Sequence, residues 1–171
     1  MVRRLVALFA VVAAALGGWA NAPTSALPAG TVADSVVVRK ADRRLDLYRD
    51  GERLKTYVVS LGRNPTGDKV REGDARTPEG RYVLDYRNPQ SGYHRALHIS
   101  YPSADDRAEA ERRGVSPGGD LMLHGLRNGF GGVGRWHRVV DWTLGCVALT
   151  NAEIEELWRV VPDGTPITIL P

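Results

Sequence analysis

The sequence predicts a mainly β fold, a sandwich or barrel of short strands with two short helices. Three observations predict it. Short runs of β-forming residues recur along the chain, a strong two-residue turn joins two of them, and only two stretches combine a helical pattern with capping signals. At 171 residues the chain fits one domain with a sizeable core.

The first strands lie in the N-terminal third of the chain. Val36-Val37-Val38 is a β-branched run, and residues 45–48 alternate between apolar and polar side chains. Asp50-Gly51 is typical of a hairpin turn, and β-forming residues resume over 54–61. We therefore expect a β-hairpin, followed by a long loop rich in Gly, Asp and Arg over 62–80.

Four further strands are predicted, over 81–86, 96–101, 121–123 and 166–170, from their content of apolar and β-forming residues. The third of these runs directly into His124.

The two helices are predicted from their end signals. The first covers 104–113, with Ser103 as its N-cap and Gly114 just beyond its end. The second covers 151–161, where Thr150 and Glu153 form a capping box. A stretch between them is expected to be irregular because of its glycines, which are Gly125, Gly129, Gly131, Gly132 and Gly134.

The N-terminus has the pattern of a secretory signal peptide. Arg3 and Arg4 form a basic start, an unbroken apolar run covers 5–16, and Ala20-Asn21-Ala22 offers a cleavage pattern of small residues. We predict a signal peptide at 1–22, with an uncleaved membrane anchor as the alternative, a linker at 23–34 and one folded domain at 35–171. The protein is therefore expected to be exported.

The charge balance excludes nucleic acid as an expected partner. Two of the 23 basic residues lie in the leader and the 20 acidic residues lie beyond it, which leaves a net charge of about +1.

Cys146 is the single cysteine of the chain. Cysteines of exported proteins normally form disulfides, so a lone thiol indicates either a buried apolar residue or a nucleophile. Gly145 allows the sharp backbone turn that would point the amides of Gly145 and Cys146 at a developing oxyanion. A thiol with a pKa of about 8.5 needs a base before it can attack a carbonyl.

His124 is the best candidate for that base, because it ends an apolar strand and is followed at once by Gly125. His137 lies closer in sequence but within a loop, where it would be a cleft or surface residue. His94 and His98 are expected to be packed or exposed. The histidines and the cysteine show no metal-binding spacing, so we expect neither a metal nor a cofactor.

Three blocks occur in order along the chain: GDARTPEG at 73–80, Leu123-His124-Gly125, and DWTLGCV at 141–147. Over about 35–171 they resemble the YkuD-type L,D-transpeptidase catalytic domain, in its DWTxGC-containing subgroup. The first block resembles the family's GD-x-x-TPEG segment, the second its His-Gly strand end, and the third its S/T-x-G-C nucleophile loop.

The resemblance implies an enzyme of the periplasm or cell-wall space that acts on peptidoglycan stem peptides. Cys146 would attack the carbonyl of the third residue of a tetrapeptide stem, usually a diamino acid, and release the terminal D-alanine. The acyl group would then pass to an acceptor amine, giving a 3–3 crosslink. His124 would be the base, the Thr143 carbonyl would orient its ring, and Gly145 would help to bind the oxyanion. The protein would act as a monomer, and it would meet a membrane only through an uncleaved anchor.

The chain departs from the common family pattern at two positions. Leu144 stands where many members have a second His, and Val147 to Thr150 lack the Arg that many have after the cysteine. The group that binds the substrate carboxylate is therefore unassigned. The candidate substrate-binding residues are Tyr101, Arg127, Arg135, His137 and Trp142.

Other functions remain open on the same residues. The acceptor could be water, as in an L,D-carboxypeptidase, or the enzyme could hydrolyse a wall–lipoprotein linkage as an amidase. A sortase-like transpeptidase offers no counterpart to the TPEG block, and a non-catalytic wall-binding domain would have lost the nucleophile or the base.

Overall fold

The computed structural model describes residues 18–22 and 25–171, and these residues form a mainly β domain. The predicted signal peptide lies outside the described residues up to residue 17, as do residues 23–24 of the predicted linker. Eight strands are present: β1 (Ser35–Arg39), β2 (Arg44–Arg49), β3 (Glu52–Val58), β4 (Gly80–Asn88), β5 (Ala96–Ile99), β6 (Met122–His124), β7 (Val147–Ala148) and β8 (Thr165–Leu170). Between the strands lie two α-helices, α1 (Ala104–Arg112) and α2 (Asn151–Val160), and a 3-10 segment (Gly131–Val139).

The strands form one sheet in the order β3-β2-β1-β8-β4-β5-β6-β7. The pairs β1–β8 and β6–β7 are parallel, and the other neighbours are antiparallel. An isolated antiparallel bridge joins Ser60, just after β3, to Ala148 in β7. The sheet therefore curls until its two edges meet, and the mainly β expectation is confirmed.

The N-terminal hairpin forms where the sequence predicts it. Asp50 and Gly51 have φ angles of 51° and 79°, the positive values that a tight two-residue hairpin turn needs. Leu45 and Leu47 in β2 are fully buried. β3 begins at Glu52 and ends at Val58, earlier at both ends than the predicted 54–61.

Both helices are capped as predicted. Ser103 and Thr150 each make a capping box with the third residue of their helix. The second helix buries the face that carries Ile154, Leu157 and Val160, and these side chains belong to the main apolar core. Helix α2 thus begins shortly after Cys146 and is anchored to the core.

The glycine-rich stretch is more ordered than expected. The 3-10 segment begins in it at Gly131 and continues to Val139, with a kink at Gly134, whose backbone is not helical. His137 is buried in this segment. Gly134 has a φ of 51°, and a Cβ at this position would lie 2.3 Å from the Ala20 carbonyl oxygen. The expectation of an irregular stretch holds for 125–130 and is wrong from Gly131 on, because contacts with distant residues, which local sequence does not reveal, order that part.

Residues 25–34 lie against the domain. The Leu27 amide donates to the Glu156 carboxylate (2.6 Å), and the Ala33 amide donates to the Val160 carbonyl (2.8 Å). Arg159 donates to the carbonyls of Leu27 and Pro28. The described part of the predicted linker is therefore held along α2. No helix among the described residues is long and apolar enough to cross a membrane.

Candidate active site

The parallel pairing of β6 and β7 brings His124 and Cys146 together. His124 is in register with Ala148, and Cys146 precedes Ala148 by two residues. Cys146 lies directly before the first residue of β7, so the pairing of β7 with β6 places it beside the strand that carries His124. Both line one cavity of about 550 Å³, whose other walls include Tyr93 and Trp142.

A tight turn holds Cys146 in place. Gly145 has a φ of 137°, and a Cβ there would lie 2.7 Å from the Arg76 carbonyl oxygen, so glycine is needed for both reasons. The Thr143 hydroxyl accepts from the Gly145 amide (3.1 Å) and donates to the Cys146 carbonyl (2.7 Å). The Gly145 amide, expected to face an oxyanion, is therefore occupied by Thr143 in this structure.

The thiol of Cys146 is protonated at rest. Burial raises its pKa, and the Asp120 carboxylate adds to the rise. The backbone amide of Met122 opposes the shift by hydrogen bonding toward the sulfur. A neighbouring base is therefore needed to generate the thiolate.

His124 has the tautomer of a base. It is buried, with 4% of its surface exposed, and its Nδ1 lies 2.7 Å from the Gly125 carbonyl oxygen. Because a carbonyl only accepts, Nδ1 carries the proton and Nε2 of the neutral ring is free to accept one. Burial lowers the pKa of His124, which keeps the ring neutral.

The Thr143 carbonyl, expected to orient this ring, has a different partner in the structure. The Thr143 carbonyl accepts from the Arg63 amide (3.0 Å) because the 62–64 segment runs alongside it. The Gly125 carbonyl accepts the hydrogen bond from His124 Nδ1 in its place. The rings of Tyr93 and Trp142 flank the imidazole, at centroid distances of 4.6 and 5.7 Å.

The 73–80 segment supports the Gly145–Cys146 turn from outside the cavity. Lys40, 2% exposed, donates to the Thr77 carbonyl (2.9 Å) and to Glu79 (2.8 Å). The Thr77 hydroxyl in turn accepts from the Gly62 amide (3.0 Å). These contacts fix the backbone of Arg76 against Gly145.

Asp74 organises the same segment. Its carboxylate accepts from Lys69 (2.9 Å) and from the backbone amides of Val70, Arg71 and Arg76. Burial alone would raise its pKa, but these donors outweigh burial and lower the pKa of Asp74 to about 2.

The structure separates the five candidate substrate-binding residues. Arg127 and Trp142 line the Cys146 cavity. Tyr101 lies outside it, because its ring is buried and its hydroxyl donates to the Pro117 carbonyl (3.1 Å). Arg135 also lies outside, because its guanidinium donates to the carbonyls of Trp19 and Ala22.

His137 lies on the far side of Trp142. It lines a separate, largely apolar cavity of about 340 Å³, together with Phe130 and Trp136. Its Nδ1 accepts from the Trp142 indole N–H (3.4 Å), and burial together with the charge of Arg138 lowers its pKa to about 4. His137 therefore supports the wall of the Cys146 cavity and does not line it.

Sequence reasoning missed several residues of this cavity, among them Arg63, Tyr93 and Asp120. Each lies in a loop, and none belongs to a motif that points to chemistry. Their positions follow from the curl of the sheet. Within the described residues, no group of three or more His, Cys, Asp or Glu could hold a metal ion.

Comparisons with known proteins identify the family of the domain. A family model, the YkuD L,D-transpeptidase catalytic domain, matches residues 33–169. YafK of Escherichia coli strain K12, whose name places it among the L,D-transpeptidases, is 32% identical over 133 residues, which cover 74% of this chain and 46% of YafK.

Solved structures show the same fold. Pgp2, a helical cell shape determining protein from Campylobacter jejuni, matches with a TM-score of 0.62 at 26% identity, over 90% of this chain and 53% of Pgp2. An L,D-transpeptidase from Mycobacterium smegmatis matches with a TM-score of 0.53 at 16% identity, over 81% of this chain and 59% of that protein. The chain spans about half the length of YafK and Pgp2.

Proposed function

The chain belongs to the L,D-transpeptidase catalytic domain family, and from this premise we propose that it is a peptidoglycan L,D-transpeptidase with Cys146 as its nucleophile. One observation carries the proposal: Cys146 and His124 line one cavity, because β6, which carries His124, pairs with β7, which begins directly after Cys146. The neutral thiol and the neutral imidazole are complementary, because Nε2 of His124 can accept the proton that the thiol must lose.

The first half-reaction forms a thioester. His124 Nε2 takes the thiol proton as Sγ of Cys146 attacks the carbonyl carbon of the third residue of a tetrapeptide stem. The Cys146 backbone amide stabilises the oxyanion of the tetrahedral intermediate. The C–N bond to the terminal D-alanine then breaks, and the leaving amine takes the proton from His124.

The second half-reaction transfers the acyl group. The amine of a second stem attacks the thioester carbonyl and loses a proton to His124 as the C–S bond breaks. The new amide is the 3–3 crosslink, and the proton returns from His124 to the Cys146 sulfur. Water in place of the amine would make the enzyme an L,D-carboxypeptidase.

The remaining parts of the proposal concern where the protein acts. Peptidoglycan lies outside the cytoplasmic membrane, so we place the enzyme in the periplasm or cell-wall space, exported by the leader at 1–22. Pgp2 is described as determining helical cell shape, and a role in cell shape through wall crosslinking is proposed here on that similarity. The proposed working unit is a monomer.

The experiment is intact-mass measurement of the protein after mixing with a carbapenem, which acylates many enzymes of this kind. A covalent adduct on the native protein that is lost in Cys146→Ala supports the nucleophile. An adduct that survives in Cys146→Ala, or no adduct on the native protein, contradicts it.

A second measurement tests the base and the acceptor. Turnover of a tetrapeptide stem, followed by mass spectrometry, should be abolished in His124→Ala and only weakened in the matched variant His137→Ala. The reverse result would reassign the base. A crosslinked dimer as product supports transpeptidation, and a free tripeptide alone shows that water is the acceptor.

A further inference from the structure

The cavity around Cys146 contains one carboxylate and two guanidinium groups. Asp120 supplies the negative charge, and Arg63 and Arg127 supply the positive charges. Within residues 18–22 and 25–171, none of these three side chains takes part in a salt bridge. Charges left unpaired on the wall of a binding cavity suit a ligand that brings charges of both signs.

Asp120 lies next to the nucleophile. Its carbonyl oxygen is 3.9 Å from Sγ of Cys146. Asp120 follows Gly118 and Gly119 in the chain. The φ of Asp120 is 53°, in the left-handed region that few residues other than glycine adopt. This turn ends the loop before β6 and leaves the side chain exposed at the cavity wall.

While the site is empty, the Asp120 carboxylate makes it harder for the Cys146 thiol to lose its proton. A negative charge near a sulfur makes ionisation of the thiol harder, and Asp120 acts on Cys146 in this direction. The charge of Asp74, which lies outside this cavity, is by contrast paired with Lys69 (2.9 Å). The charge of Asp120 is left for a cation that arrives from outside.

We propose that Asp120 binds the free ammonium group at the end of the side chain of the third stem residue. This inference rests on the proposed function. The side chain of the third residue branches from the α-carbon, which is bonded to the carbonyl carbon that Cys146 attacks. Its terminal amine can therefore reach a residue beside the sulfur. Arg63 and Arg127 then remain for the carboxylates of the stem.

Binding has a consequence for the nucleophile. An ammonium on Asp120 cancels the charge that opposes ionisation of Cys146, so the thiol becomes easier to ionise once the correct stem is in place. A stem without a free amine leaves that charge uncompensated. Asp120 therefore contributes both to binding and to the choice of substrate.

The test compares two tetrapeptide stems, one with a free side-chain amine and one with that amine acetylated. Thioester formation would be followed by mass spectrometry to give kcat/KM for the native protein, for the isosteric variant Asp120→Asn and for the control Asp42→Asn. Asp42 is exposed and lies in the turn between β1 and β2. The native protein and Asp42→Asn should prefer the free amine by about 10-fold, as expected for a hydrogen bond to a charged group.

Asp120→Asn should lose this preference while its thiol reacts with neutral iodoacetamide at least as fast as in the native protein. A third stem, in which the amine is succinylated, carries a carboxylate at this position. Asp120→Lys should prefer this stem over the stem with the free amine. A preference that persists in Asp120→Asn, or an equal loss of rate on both stems, overturns the inference and leaves the proposed function standing. A native protein that forms no thioester with either stem overturns both.

Discussion

Gly145→Ala should destabilise the protein strongly, because Gly145 is constrained in two ways. Its φ of 137° lies in a region that residues with a Cβ rarely adopt, at a cost of about 1–3 kcal/mol. The new Cβ would also lie 2.7 Å from the Arg76 carbonyl oxygen and 3.0 Å from Leu121 Cδ2. Overpacking of this kind costs about 1–3 kcal/mol, so the expected total is about 2–6 kcal/mol.

The assay is urea unfolding of the purified variants, with two matched glycines as controls. Gly164 has a φ of 90°, and a Cβ added there would meet no atom within 4 Å, so Gly164→Ala measures the backbone cost alone. Gly92 has neither constraint, and Gly92→Ala should change the free energy of unfolding by less than about 1 kcal/mol.

Gly145→Ala should also slow alkylation of Cys146 by iodoacetamide, because relief of the clash moves the sulfur. A Gly145→Ala variant no less stable than Gly164→Ala would refute the reasoning, since the contact with the Arg76 carbonyl would then impose no constraint.

Three further predictions concern other parts of the domain. The alkylation rate of Cys146 should rise with pH through a midpoint above that of free cysteine, because burial raises the pKa of the thiol; a midpoint below neutral pH would indicate a preformed thiolate. The carboxyl of Asp74 has a pKa of about 2 in the folded protein against 3.8 unfolded. After allowance for solvent screening, this difference contributes about 1–2 kcal/mol to the free energy of unfolding. The contribution should be present above pH ~4 and lost as the pH falls to ~2. Asp74→Asn should lack this loss in acid unfolding experiments, and an unchanged pH dependence would contradict the assignment. Tyr57→Phe removes a hydroxyl that donates to the buried carboxylate of Glu156 (2.7 Å), and urea unfolding should show a loss of about 1–3 kcal/mol, with the exposed Tyr86→Phe unchanged as its control.

Local signals in the sequence were sufficient for much of the fold. The Asp50-Gly51 turn and the two capping boxes are short-range contacts, so their residue types alone predict them. Strand β7 has two residues and exists only because it pairs with β6, so no periodicity could have revealed it. The 3-10 segment was missed for the same reason, since its order comes from contacts distant in sequence.

The sequence by itself determined the chemical identity of the candidate nucleophile, because the chain has one cysteine, preceded by a glycine that permits a sharp turn. It also identified His124 as the candidate base at a strand end. Tertiary structure alone decided that the two share a cavity, that Gly125 orients the imidazole and that His137 lies behind Trp142. These relations depend on strand register and on the curl of the sheet, which arise from pairing between residues far apart in the chain.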